Sequence, residues 1–307
     1  MAAPSATAAQ PHAQSPQALG TLVRLRVLNA SELPTHADIA PQQSSGTPPE
    51  LGSFLLAVLN EAESFMTAYL PARFKTKSTD KQSLPSIAPV ELLSHEINAA
   101  DIPKEVRSAG SGATAESWFA RVSIHESAAK EGTASWEEFD QGLRADHSKH
   151  EMEYTPDVQD AHKVLDWDSA IERSNRKVDA WADVSMSIME MVHHIPPPLN
   201  DRVFSVLVVT AKQAEEIIVV QIPVDTAGMA GAKYNTKSSK LQSGIYVSIE
   251  HGQLIDGGAK VKWQMATASD AKGILPMWAQ KMGVPGAVIK DVGLFIGWCA
   301  KRRVGEA

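Results

Sequence analysis

The sequence predicts an α+β fold in which a large, curved antiparallel sheet wraps a long C-terminal helix. Three observations predict it: strand-length segments of period-two patterning after Gly110, short turns between most of them, and one apolar stripe at helical spacing after Asp270. The strand segments lie at 118–125, 185–194, 203–212, 216–224, 244–250 and 260–268, with a further candidate at 151–155. In the first, Trp118, Ala120, Val122 and Ile124 fall on one side and Phe119, Arg121, Ser123 and His125 on the other. That is the pattern of a half-exposed antiparallel strand. The turns at 213–215 and 256–258 suit hairpins, because a parallel crossover needs about a dozen residues.

Before the sheet, Leu51, Phe54, Leu55, Val58, Leu59, Ala62, Phe65, Met66, Tyr69 and Leu70 recur at helical spacing and predict a helix with one buried face. A polar segment with Arg73, Lys75, Lys77 and Lys81 follows between Pro71 and Pro85, then an apolar piece at 90–97. Residues 136–143 read as a short helix capped by Ser135, and 168–183 as a helix or loop inserted between strands. Residues 1–49 are expected to form a flexible tail and a loosely docked segment, with a short strand at 21–28, and residues 50–303 the main domain.

The final segment sets the architecture. Asp270 is a good N-cap, and Ile274, Trp278, Met282, Pro285, Val288, Ile289, Val292, Phe295, Ile296 and Cys299 make a continuous stripe that needs an apolar partner. The concave face of the sheet supplies one. Gly283 and Pro285 are expected to loosen or kink this helix, making a jointed lid.

With 307 residues, 43% of them hydrophobic, the chain can bury a substantial core. A net charge of −7 gives no general attraction to nucleic acid or to an anionic membrane, and no nucleic-acid partner is expected. Cys299 is the only cysteine, which excludes an intrachain disulfide, argues against a cysteine zinc site and fits a reducing, cytoplasmic setting. The longest unbroken apolar runs, 206–209 and 217–220, fall far short of the roughly 20 residues that span a bilayer. Residues 1–31 lack acids, but with Arg24 and Arg26 as their only strong bases they do not form a basic amphipathic transit helix.

The run Asp270-Ala-Lys-Gly273-Ile-Leu-Pro276-Met-Trp278 resembles the approach to the last helix of START lipid-transfer domains. Around it, Trp118-Phe-Ala-Arg121-Val-Ser-Ile-His125, Gly132-Thr-Ala-Ser-Trp136-Glu-Glu-Phe139, His147-Ser-Lys-His150-Glu151-Met-Glu-Tyr154 and Met265-Ala-Thr-Ala-Ser-Asp270 look like a fungal family of START-like domains of unknown function. The likeness runs from about residue 50 to about residue 303. It implies a helix-grip fold with an internal cavity that binds, and can transfer, a lipid or other hydrophobic small molecule, without catalysis. It supplies no catalytic residues. The same fold class hosts cyclases, so a START-like cyclase or dehydratase of a polyketide-like substrate is the alternative.

Strand parity nominates the cavity lining: Val122 and Ile124, Met186 and Ile188, Ile245 and Val247, Trp263 and Met265, faced by Trp278, Met282 and Ile289 from the helix. The same residues also describe a solid core, and parity alone does not separate the two. Glu190 shares a face with Met186, Ile188 and Val192; pointing inward, it is a buried carboxylate able to bind a hydroxyl or move a proton. The opposite parity turns Met189 and Met191 inward and Glu190 to solvent. Arg121 and His125 read as a solvated outer face, with an anchor for an anionic group inside the pocket as the other reading, and for the enzymatic alternative Glu190, His125 and His193 are the candidate acids and bases.

His147, His150 and Glu151 lack the helical zinc spacing and read as a turn held by histidine hydrogen bonds, so no metal site and no cofactor are expected. The loop 226–243 carries Lys233, Lys237 and Lys240 without an acid and reads either as a solvated tip or as a loop bordering the cavity mouth that touches anionic headgroups transiently.

Overall fold

The structure is a computed structural model and describes residues 19–44, 46–107, 115–196, 200–234, 241–270 and 277–305. Helix α1 (Leu51–Ser64) starts where the Glu50 carboxylate accepts the backbone N–H groups of Gly52 and Ser53 at 2.8 and 2.7 Å. That satisfies two of the donors a helix start leaves open. One π-helical turn, Phe65–Tyr69, joins it to α2 (Leu70–Arg73). The strands β1 (Lys75–Lys81) and β2 (Val90–Ile97), the turn α3 (Lys104–Arg107) and β3 (Glu116–Glu126) follow.

Ser135 caps α4 (Trp136–Phe139) in a reciprocal box with Glu138, as the sequence predicts. Next come α5 (His147–Tyr154), β4 (Val158–Asp166), α6 (Asp168–Glu172), β5 (Ala182–His193), β6 (Asp201–Gln213), β7 (Glu216–Pro223), β8 (Leu241–Ile255), β9 (Lys260–Asp270) and α7 (Met277–Arg303).

The nine strands form one sheet in the order β1-β2-β3-β9-β8-β7-β6-β5-β4, and every neighbouring pair is antiparallel. Beyond the end of β7, β6 and β8 meet in a short parallel pairing from Asp201↔Leu241 to Phe204↔Gly244. The sheet is apolar on both faces. One face presents Trp118, Ala120, Met186, Ile188, Leu207, Val209, Ile218, Val220, Val247, Ile249, Ala266 and Ala268 to α1, through Phe54, Leu55, Val58 and Leu59. The other presents Val261 and Trp263 to Val292, Phe295, Ile296 and Cys299 of α7, with Phe139, Leu143 and Tyr154 packed alongside. The α+β fold, with its curved antiparallel sheet gripping a C-terminal helix, is therefore the one expected.

Several elements differ from expectation. Residues 151–155 are the end of α5 and the residue after it, not a strand. β1 and β4 were not expected as strands because neither carries an apolar alternation: β1 is an exposed lysine-rich edge, the form that resists further pairing, and β4 is the opposite edge. Residues 21–28 bend rather than extend, and only Leu28 bridges to Val224. α7 continues through Gly283 and Pro285 as one helix. Its segment Gly283–Arg303 has the length and mean hydropathy, 1.3, of a membrane-crossing helix; here the sheet covers its apolar face. Asp270, expected as the N-cap, is the last residue of β9 and pairs with Ile245, while the described part of α7 begins at Met277; the side chains of Trp278 and Met282 fall outside the described residues.

The bends at the N-terminus are held by carboxylates. Glu61 of α1 accepts the backbone N–H groups of Thr21, Leu22 and Val23 at 3.0, 2.9 and 3.0 Å. Arg24, fully buried, forms a two-point ion pair with Glu116 at the start of β3, and Glu116 also accepts from Trp118 Nε1 at 2.8 Å. Far from docking loosely, residues 21–28 are tied across the sheet end. Removing one partner of such a pair strands a buried charge, which costs about 3–5 kcal/mol. Glu116→Ala is expected to lower the free energy of denaturant unfolding by that amount; a loss under about 1 kcal/mol would show the pair to be dispensable.

Candidate functional site

A cavity of about 420 Å³ lies between the first half of α7 and the concave face of the sheet. Its walls follow from register. Arg121 on β3, Met265 on β9 and Glu250 on β8 are consecutive cross-strand partners, so their side chains stand in one row. The next row runs Thr267, Ser248 and Gln221, and Tyr246, Phe204 and His193 continue the wall toward β5. α5 contributes Glu151 and Tyr154; α7 closes the space with Val284, Ala287, Val288, Asp291 and Leu294.

At the deep end, the Arg121 guanidinium lies 3.8 Å from the ring centre of Trp263. Its Nη2 is 3.5 Å from Glu250 Oε2, and that oxygen accepts from Trp263 Nε1 at 2.7 Å. The three side chains thus brace one another, with a cation–π contact worth about 2 kcal/mol when desolvated. Arg121 is 1% exposed, and among the described residues its Nε and Nη1 have no hydrogen-bond partner.

Glu151, Asp291, His193, Tyr154 and Tyr246 are shifted toward neutrality. Burial, aided by the nearby Glu250, pushes the Glu151 carboxyl up to about 8. Burial pushes Asp291 up to about 7 against the opposing pull of Arg121. The His193 imidazole is driven down to about 4 by burial; its ring meets Phe204 edge-on at 5.1 Å, and its Nε2 has no partner among the described residues. His147 Nε2 lies 3.5 Å from Glu151 Oε2, but burial lowers the histidine while it raises the acid, so the contact joins two neutral groups and is no ion pair. Tyr154 and Tyr246 are raised well above the usual phenol value, chiefly by burial, and Tyr246 donates to Gln221.

Trp263, Met265 and His193 stand on the cavity wall. On β3, β5 and β8 the parity is the reverse of the expected one. Val122 packs toward the α1 side, Ile124 is 48% exposed, and Met186, Ile188 and Val247 belong to the core under α1. Ile245 shares the parity of Val247. The reason is that each strand is covered on both faces, and the more apolar faces go to α1, whereas the mixed polar and aromatic faces go to α7. Ile289 packs in the α7 cluster and not on the cavity wall.

Glu190 is buried, but on the α1 side. It accepts from Thr226 Oγ1 at 3.2 Å and from the backbone N–H groups of Lys233 and Tyr234 at 2.8 and 3.1 Å, which fixes the loop after β7. His125 is on the α7 side, yet it is sealed between Phe139 and Trp263, bonded to Ser123 Oγ at 2.8 Å, and pushed down to about 4 by burial. Neither reaches the cavity wall. Lys233 is tied to Asp160 at 2.6 Å, away from the cavity lining, and Lys237 and Lys240 lie outside the described residues.

The residues missed were Glu151, Tyr154, Phe204, Tyr246, Glu250 and Asp291; Arg121 stands on the pocket side, the lesser of its two sequence readings. Asp291 carried a readable signal, as an acid beside Val288, Val292 and Phe295 in a buried helix.

The raised Glu151 has a measurable consequence. In the unfolded chain its carboxyl ionises near the usual 4.5, whereas the folded chain keeps the proton up to about 8, so stability falls as pH rises across that window. Relative to Glu151→Gln, the native protein is expected to lose on the order of a few kcal/mol between about pH 5 and about pH 8.5. Superposable stability-versus-pH curves for the two proteins would contradict this.

Solved structures with the same fold include human STARD10, with a TM-score of 0.52 at 10% identity over 79% of this chain and 80% of that one. Human StAR-related lipid transfer protein 5 gives a TM-score of 0.53 at 10% identity over 83% of this chain and all of that one. No curated protein sequence matches. Residues 118–299 match the family described as "Protein of unknown function (DUF3074)". The chain belongs to this DUF3074 family, and its fold is the START-like helix grip.

Proposed function

We propose that the protein binds one lipid or other hydrophobic small molecule in the cavity under α7 and carries it without chemical change. The observation that carries this reading is a half-open cavity with Phe204, Met265, Val284, Val288 and Leu294 on its walls. Its volume falls in the range of small-molecule sites, about 300–1,000 Å³. Apolar burial would drive entry, and the few polar groups would orient the guest. Ligand carriage also accords with the name of one fold neighbour, a lipid transfer protein. A membrane-contact role for Lys233 has less support, since Asp160 holds its ammonium.

The enzymatic alternative, a cyclase or dehydratase, rests on different residues from those the sequence suggested. His193 with its free Nε2 and the protonated Glu151 share the cavity, whereas Glu190 and His125 are remote from it. Recovery of the bound molecule chemically unaltered after incubation separates carriage from catalysis.

Val284→Trp would fill the space from the helix side. Native mass spectrometry of the purified protein is expected to show one added small-molecule mass, lost in Val284→Trp while its circular dichroism stays native. The neutral fluorophore prodan should bind the native protein at least tenfold more tightly than the variant. A native protein that carries no added mass and does not bind prodan would refute the reading.

A further inference from the structure

A second hollow, of about 610 Å³, opens between the start of α5 and the strands β4, β5 and β6. It lies on the same face of the sheet as the cavity under α7, but across α5 from it, and the two share no described wall residue. Helical spacing divides α5 between them: Glu151 and Tyr154 face the cavity, and Ser148 and Lys149 border the hollow. Its floor is set by register. Ser185 pairs with Thr210 and Ser187 with Val208, so hydroxyl groups stand where the cavity has rings. Among the described residues the wall carries no Phe, Tyr or Trp. A greasy guest has little to pack against here.

The hollow instead gathers hydrogen-bond donors. Arg144 is 7% exposed; Asp140 holds its Nε, and its Nη1 has no partner. Ser148 is 6% exposed, and its hydroxyl is unbonded among the described residues, as is that of the half-buried Ser187. None of these three atoms is sealed away, in contrast to the Arg121 nitrogens. Lys149 is exposed and has no ion pair among the described residues. The helix start adds to this. Asp146, at φ 45°, makes no side-chain capping bond to α5, so no cap answers the positive end of the helix dipole.

The carboxylates nearby are mostly spent. Asp183 takes Lys212 at 2.8 Å and lies 3.6 Å from Arg144, and Asp168 takes Arg176 at 3.3 Å. Lys163, the remaining cation of the wall, is exposed and paired with Asp166 at 3.0 Å. Asp146 has no ion pair among the described residues, but it is exposed and unbonded to the helix, so it can turn to water. What stays uncommitted at the wall is therefore a guanidinium N–H, two hydroxyls and an ammonium beside a helix start.

We propose that this hollow binds the phosphate group of a phosphate monoester, at a site separate from the cavity under α7. The terminal oxygens of such a group accept several hydrogen bonds at once, and charge-assisted donors at a helix start are the surroundings that hold them. The buried Arg144 and Ser148 fix the position of the group, and Lys149 supplies a charge without a counter-ion of its own.

The test uses the full isotope-labelled chain at pH 7 and follows the backbone amide signals of His147, Ser148 and Lys149. Inorganic phosphate and glycerol 3-phosphate are expected to move these signals saturably, and acetate at equal ionic strength to leave them in place. Lys149→Glu, at an exposed side chain, should weaken both phosphates about tenfold, and Ser148→Ala severalfold, each with native circular dichroism. Co-sedimentation with phosphatidylcholine vesicles containing phosphatidic acid distinguishes the source of the group. Capture that Lys149→Glu abolishes, with only a weak response to glycerol 3-phosphate, keeps the site and assigns the phosphate to a lipid headgroup. Acetate binding as tightly as phosphate overturns the proposal, as do shifts that neither substitution alters. So does the absence of saturable shifts together with vesicle capture indifferent to Lys149→Glu.

Discussion

The guanidinium of Arg121 lies against the indole of Trp263 and beside the carboxylate of Glu250, and the space under α7 is organised around that contact. Cross-strand register makes it possible. Arg121 and Glu250 flank Met265 from β3 and β8, so a charge and its counter-charge come to one row of a buried face. Trp263, two residues from Met265 on the same strand face, then reaches back to both. An unbraced arginine at this depth would carry a desolvation cost of several kcal/mol; with its partners it becomes a fixed point of the chamber wall.

The rest of the fold serves to keep that chamber closed. α7 places Val292, Phe295, Ile296 and Cys299 on the Trp263 side, and Phe139, Trp263 and Phe295 meet one another at ring separations of 5.1–5.5 Å. Ser83, between β1 and β2, takes the N–H of Gly293 at 2.8 Å and donates to the carbonyl of Lys290 at 3.2 Å. Gly293 is required there, because a Cβ would come within 2.3 Å of the Leu84 carbonyl oxygen. Farther along, Arg303 binds Glu138 at 2.6 and 2.7 Å and ties the end of α7 to α4. The second half of α7 is thus anchored, and the cavity lies beneath its first half.

The architecture was readable because it rests on long-period signals: the alternation of β3 and β5 to β9, the short turns between strands, and the stripe of α7. The elements that went unread, β1 and β4, are edge strands with no apolar face to announce them. The site was harder for a different reason. Ordinary reasoning turns the cleanest apolar face of a strand toward the most obvious helix, and Val122, Met186, Ile188 and Val247 were placed by that rule. Here α1 covers the other side of the sheet and takes those faces, so the chamber receives the alternate positions, rich in charge and aromatic rings. Arg121 looked like a surface residue for the very feature that marks it as part of the chamber. Glu190 was rightly singled out as an anomaly, yet its buried carboxylate anchors a loop through two backbone N–H groups.

The central claim is that the volume beneath α7 is available to a guest. A crystal structure of the protein with 12-bromododecan-2-one, phased on bromine, tests it most directly. The account predicts a bromine peak within the cavity. A cavity packed by the side chains of α7, with bromine bound only on the surface, would contradict it.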